Sequence, residues 1–176
     1  MKKELLELYS DYLLSSFGYT TATGLSNLPD KQIGHDKITD FLAESDFDSR
    51  DLWLPVKETV RSVESDDGVL IFDDTAGEKQ WTDENEIITW HYNHSINRSV
   101  KGVSIPNCLW HSKDADIPVS YQIIHKPVLF SDPETGRIRR KSEVTKNELL
   151  RDMLRVCISN QFRFRYVLTD SQFSSK

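Results

Sequence analysis

Two short apolar runs in this sequence each close on aspartate, and that pattern narrows the folds open to it. Gly68 to Phe72 reads as a buried strand running into Asp73 and Asp74, and FRFRYVLTD reads as a second strand ending on Asp170. Runs of this kind suit the buried strands of α/β sheets, where ligand-binding groups collect at the carboxyl ends. A helix predicted over Ser142 to Ser159 precedes the second run, with Ser142 as its cap and Val144, Leu149, Leu150, Met153, Leu154 and Cys157 as its apolar stripe. A right-handed crossover through that helix makes the two strands parallel neighbours, with Asp74 and Asp170 one strand spacing of about 4.8 Å apart.

The rest of the chain fits around this frame. IITWHYNHS, VSIPNCLWHS and IPVSYQIIHKPVLF are rich in β-branched and aromatic residues and read as extended. Upstream, Leu5, Leu6, Tyr9, Leu13 and Leu14 mark a helix over 3–16, Ile38, Phe41 and Leu42 mark a short one, and Trp53, Val56 and Val60 face inward from a helix over about 49–63. The division is a helical region over 1–65, helix-turn-helix in outline and either DNA-binding or structural, then an α/β domain with a mixed sheet over 66–176.

With 176 residues the chain has room for one ordinary core and a small helical unit. It has no apolar run of the roughly 20 residues that cross a bilayer. The opening MKKELLELYSDY is broken by Glu4, Glu7 and Asp11, unlike a signal peptide, which points to a cytoplasmic location. Cys108 and Cys157 form no CxxC pair and read as buried, reduced thiols. The net charge of -6 argues against a protein that simply coats nucleic acid, yet its distribution is uneven. Residues 1–136 carry 12 basic against 24 acidic side chains, whereas 137–165 carry 9 basic against 3 acidic. Arg137, Arg139, Arg140 and Lys141, placed by the sequence in a loop after SDPETGR, form either a solvated face or a phosphate-binding surface.

Two neighbouring ionised carboxylates repel unless a cation lies between them, and their hard oxygens suit Mg²⁺ or Mn²⁺. Phosphoryl transfer is the chemistry such a pair serves. The alternative is that Asp73, Asp74 and Asp170 only cap turns. Alternation along the first strand sets Asp74 with Leu70 and Phe72 and sets Asp73 on the opposite face, so only one of the two points into a site.

GVLIFDDTAGEK, TWHYNHSINRSVKG and RYVLTDSQFSS resemble the DDE transposases of bacterial insertion sequences, especially the IS-four-like groups, over roughly Asp36 to Lys176. The resemblance implies an incomplete RNase H-like mixed sheet preceded by a small helical region. It assigns the first metal-binding Asp to Asp74, followed by Thr75, with Asp73 as second candidate, and the second to Asp170, followed by Ser171. It also implies that Arg98 and Lys101 touch DNA backbone, and that the family's third carboxylate, a Glu, lies beyond the last residue here. The expectation is therefore an N-terminal fragment of a transposase that cuts and joins DNA in its full-length form but is inactive alone. The alternative is a non-catalytic DNA-binding or subunit-binding remnant that modulates a full-length transposase. Implied partners are insertion-sequence ends, further copies of the chain or full-length transposase. Glu143 or Glu148 is the candidate substitute for the missing Glu.

Other constellations are weaker. His91, His94 and His111 with Cys108 lack four ligands at zinc spacing, and there is neither a GxSxG elbow nor a GxxxxGK[ST] loop.

Overall fold

The computed structural model describes residues 2–28, 33–93, 96–113, 115–170 and 173. They divide into two compact units, Met1–Asp46 and Phe47–Lys176.

The first unit holds α1 (Lys2–Ser15), α2 (Ala22–Ser26) and α3 (His35–Glu44). Thr21 caps α2 by accepting from the Gly24 amide at 2.9 Å. Its small core is Tyr12, Leu25 and Ile38, flanked by Tyr9, Ala22 and Ile33. Leu13, Leu14 and Leu42, expected on apolar stripes, are exposed. Tyr12 is buried with its hydroxyl accepting from the Thr21 amide at 3.3 Å, so an amphipathic ring occupies an inward position that a search for aliphatic spacing passes over.

The second unit opens with α4 (Ser49–Val63), which the sequence division had grouped with the helices before it. Asp48 and Asp51 cap it reciprocally: Asp48 accepts from the amides of Arg50 and Asp51, and Asp51 accepts from the Asp48 amide at 3.0 Å. Ser49 Oγ accepts from the Tyr121 amide at 2.7 Å, which fixes the start of the helix to the sheet. Trp53 and Val60 then enter the sheet's own core.

The main sheet contains β1 (Val69–Glu78), β2 (Thr89–Asn93), β3 (Arg98–Ser112), β4 (Ala115–Tyr121) and β7 (Tyr166–Thr169), in the order β2-β3-β1-β7 with β4 also on β3. β1 and β3 are antiparallel, with Val69 opposite His111 and Glu78 opposite Gly102. β3 is long enough to pair β2 through 98–102 and β4 through 107–112 on the edge away from β1. β7 lies parallel to β1, with Phe72 opposite Thr169, as the crossover through the intervening helix requires. Pairing is thus mixed, and the architecture is that of an RNase H-like fold. Alternation is strict along β3, where every second residue from Val100 to Ser112 is buried. That face, with Leu70 and Phe72 of β1, packs on Trp53, Val60, Met153, Cys157 and Phe162.

Two expectations change in detail. IPVSYQIIHKPVLF is not one strand: it breaks over 122–127, and β5 (Val128–Ser131) pairs antiparallel with β6 (Ile138–Lys141) as a separate hairpin. Arg139, Arg140 and Lys141 of the basic cluster therefore lie on a strand, with Arg137 in the turn just ahead of it. Asp132 shapes the turn by accepting from the amides of Glu134 and Thr135, each at 3.0 Å, and Gly136 takes the left-handed conformation there, φ 67°. The crossover helix, α5 (Lys146–Ser159), begins four residues after Ser142. Thr145 is its cap, in a reciprocal capping box with Glu148 that satisfies amides at the first turn better than a lone serine would.

Candidate active site on β1

Asp74 stands on the helix-packed face of β1, two residues after the buried Phe72, where the burial of the strand gives way to exposure. Its side chain is 8% exposed. Ser104 Oγ on β3 donates to Oδ1 at 2.7 Å, and the Lys146 ammonium pairs with Oδ2, so both oxygens are engaged. Ser104 reaches it because Ala76, two residues along the same face, is its register partner. Lys146 reaches it from the first turn of α5, which the Thr145 cap begins.

Asp73 falls on the opposite face, exposed, with Oδ1 accepting from the Asp74 amide at 2.7 Å. The alternation expected from the sequence thus separates the two acids. Asp170 is the residue immediately after β7, and its carbonyl accepts from the Phe173 amide at 3.0 Å. Because Thr169 pairs with Phe72, the chain brings Asp170 to the same end of the β1/β7 pair as Asp73 and Asp74. Asp170 is outside the strand, so strand alternation does not dictate its direction. Ser171 and His94 lie outside the described residues.

Beside Asp74 lies a cavity of about 410 Å³ lined by His91, Tyr92, Ile124, Lys126, Ser142, Val144, Thr145 and Lys146. Lys126 donates to the Trp90 carbonyl at 2.6 Å, and burial, then the neighbouring Lys146 charge, lowers its pKa. His91 is 5% exposed, and its Nε2 has no hydrogen-bond partner among the described residues. Burial, followed by the charges of Lys126 and Lys146, outweighs the nearby Asp74 and a bond to the Gly102 backbone and brings its pKa from 6.5 to about 4. The imidazole is therefore neutral near pH 7. The unfolded chain binds a proton between pH 6.5 and 4 that the folded chain rejects, so stability falls as pH drops through that window, by up to about 3 kcal/mol. Urea unfolding at pH 7 and pH 4.5 is expected to show this slope in the parent and a shallower one in His91→Gln; equal slopes would mean that other groups cause it.

The remaining sequence candidates are dispersed. Arg98 pairs with Glu78 at 2.9 Å and Lys101 is half-buried on β3 opposite Trp90. Arg139 pairs with Asp132 at 2.9 Å, Lys141 lies over the Phe130 ring at 5.9 Å, and Arg137 is exposed. Glu148 is committed to the α5 cap, accepting from the Thr145 amide at 2.7 Å, and Glu143 is exposed ahead of that helix. Cys108 and Cys157 touch in the core, as expected of buried thiols, and that contact, followed by burial, raises the Cys108 pKa. His111 is on the other face of β3 from Cys108 and pairs with Asp116 at 2.7 Å. Among the described residues no three His, Cys, Asp or Glu side chains converge as a metal cage. A larger cavity, about 720 Å³ between α4, β4 and the end of α5, has only the cap Asp48 as an acid and lies apart from Asp74.

Sequence comparison decides what this arrangement belongs to, because the family described as DDE superfamily endonuclease matches residues 1–176. The chain belongs to that family. No curated protein and no solved structure matches it. Membership of the DDE superfamily endonucleases makes a nuclease of the transposase type, with DNA as substrate, the setting in which Asp74 is to be understood. Divalent metals are the usual helpers of such enzymes, and Asp74 fits one on two counts: it is a hard oxygen donor, and it already carries a cation, the Lys146 ammonium. Among the described residues of this DDE superfamily endonuclease, no helix is long and apolar enough to cross a membrane.

Proposed function

We propose that this DDE superfamily endonuclease serves metal-dependent DNA strand cleavage and transfer of the insertion-sequence type, with Asp74 and Asp170 as ligands for Mg²⁺ or Mn²⁺. The observation that carries this reading is the shielded Asp74 carboxylate, paired with a cation just past the stretch of β1 whose parallel neighbour, β7, runs into Asp170. A divalent ion held there would polarise a phosphate oxygen and lower the pKa of an attacking hydroxyl or water. Ser104 holds Asp74 by one oxygen and so orients the other toward the ion. Asp73, on the far face, is not a ligand. Two carboxylates supply only part of an octahedral shell, so the 176-residue chain binds such ions weakly and does not cut DNA alone. DNA backbone contacts come from the basic β5/β6 hairpin, and the setting is the cytoplasm. A modulating role, through association with further copies or with full-length transposase, is the second reading; that no three His, Cys, Asp or Glu side chains converge among the described residues favours it.

Iron(II) substituted for Mg²⁺ reduces added hydrogen peroxide to hydroxide and hydroxyl radical, itself becoming iron(III), and the radical cuts the polypeptide beside the bound metal. Peptide mapping after such treatment is expected to locate cuts next to Asp74 and Asp170, suppressed by excess Mg²⁺. Cuts elsewhere, or cuts that persist in Asp74→Ala, would place the metal away from this site.

A further inference from the structure

Lys146 occupies the oxygen of Asp74 that a metal would need. Ser104 already holds Oδ1, and the ammonium holds Oδ2. The capping box fixes the backbone at the start of α5, so Lys146 can relocate its charge only by turning its four-carbon stem. On one side of that stem is Asp74. On the other is the 410 Å³ cavity whose wall Lys146 forms with Lys126, Thr145, Ser142 and His91.

The charges around this cavity do not balance once Asp74 is engaged elsewhere. Lys126 and Lys146 lie within electrostatic reach of each other and of His91, and the acids acting on Lys126 are Glu84 and Asp74. A divalent ion on Asp74 would leave two ammonium groups facing each other, with Glu84, itself accepting from Thr89 Oγ1 at 3.3 Å, as the remaining acid. Such an arrangement calls for an anion. His91, whose buried Nε2 has no hydrogen-bond partner among the described residues, contributes to the wall of the same cavity. A phosphodiester suits it: one negative charge for two point-charge donors that do not need the planar geometry a guanidinium imposes.

We propose that Lys146 is a two-position cation, which rests on Asp74 in the metal-free chain and turns into the cavity when a divalent ion takes that carboxylate, there binding a DNA backbone phosphate together with Lys126. This rests on the reading of Asp74 as a metal ligand. Metal and phosphodiester then favour the same position of Lys146, so each must raise the chain's affinity for the other by the same factor.

The test is calorimetric titration with Mn²⁺, with and without a saturating thymidine trinucleotide, on the parent chain and on Lys146→Gln, Lys126→Gln and Asp74→Ala. In the parent, the trinucleotide is expected to tighten Mn²⁺ binding by about tenfold, within the usual span of coupled sites. Lys146→Gln should bind Mn²⁺ more tightly than the parent without the trinucleotide, because no ammonium competes, and should lose the coupling. Lys126→Gln leaves the Asp74 pair in place, so in the absence of trinucleotide it should change Mn²⁺ affinity less than Lys146→Gln does, and it should show a reduced coupling. If Asp74→Ala abolishes Mn²⁺ binding while Lys146→Gln neither tightens it nor loses the coupling, the two-position cation is wrong and the metal site stands. If Asp74→Ala binds Mn²⁺ like the parent, the metal site itself fails, and the proposal with it.

Discussion

Trp110→Ala is expected to lower the unfolding free energy of the second unit by about 3–5 kcal/mol, the range for emptying a core position of a large aromatic ring. Trp110 has no exposed surface and lies in the core cluster between Leu70, Phe72 and the helices. Its indole Nε1 donates to the Arg163 carbonyl at 3.0 Å, fixing the segment that leads into β7. The substitution therefore leaves a cavity and also strips a carbonyl of its donor. Gly68 sits against the same pair: a Cβ there would come within 2.5 Å of the Arg163 carbonyl and 2.8 Å of Nε1, so no larger residue can fill the gap from that side. Because β7 is tied to β1 here, the substitution should also loosen the end of the sheet that presents Asp170. Chemical unfolding of the parent and the variant measures the first effect; a difference below about 1 kcal/mol would show that the ring is not central to this core.

How far the fold was legible varies from element to element, for physical reasons. α4 was readable at about 49–63 because Trp53, Val56 and Val60 repeat at helical spacing; the Asp48–Asp51 box that starts it was a signal the spacing argument did not use. β1 was readable as far as Phe72, where apolar residues end. Its extension to Glu78 is held by backbone pairing to β3 and has no side-chain signature. The β5/β6 hairpin was missed because IRRK has the composition of a solvated loop, and only its cross-strand partner VLFS makes it a strand. Alternation separated Asp74 from Asp73, and the resemblance to DDE transposases chose Asp74 between them. Lys146 was not legible, since it is 72 positions away from Asp74 and a lysine at a helix start normally reads as solvated. The available signal was the Thr145 to Glu148 spacing, a capping box that starts the helix at Lys146 rather than at Ser142. His91 was read only as a member of a strand and of a weak zinc pattern; that its Nε2 is buried beside two lysines is a tertiary fact.

Replacing Arg137, Arg139, Arg140 and Lys141 together by Ala is expected to weaken duplex DNA binding and flatten its salt dependence. The surrounding acidity makes this stretch the place where phosphate would be attracted, as residues 1–136 carry twice as many acids as bases. For every phosphate that the variant no longer neutralises, the slope of log affinity against log salt falls by about 0.9 on duplex DNA. The hairpin geometry sets how many phosphates are involved. Arg139 is already held by Asp132, and its neighbours Arg137, Arg140 and Lys141 carry no ion pair to an acid among the described residues. The slope should therefore fall by about 2.7, as for three phosphates rather than four. Sequence preference should not change, because cations placed this way grip the backbone without reading base edges. Binding by the fourfold variant with the parent's affinity and salt slope would make the hairpin a solvated face.

If Asp74 and Asp170, and not Asp73, hold a divalent ion, removing the first two must abolish its binding and removing the third must not. Calorimetric titration with Mg²⁺ and Mn²⁺ of the parent, of an Asp74→Ala, Asp170→Ala double variant and of Asp73→Ala separates these cases. Weak binding in the parent, the same binding in Asp73→Ala and none in the double variant are the expected results. Equal binding by the parent and the double variant would show that the end of β1 and β7 is not a metal site.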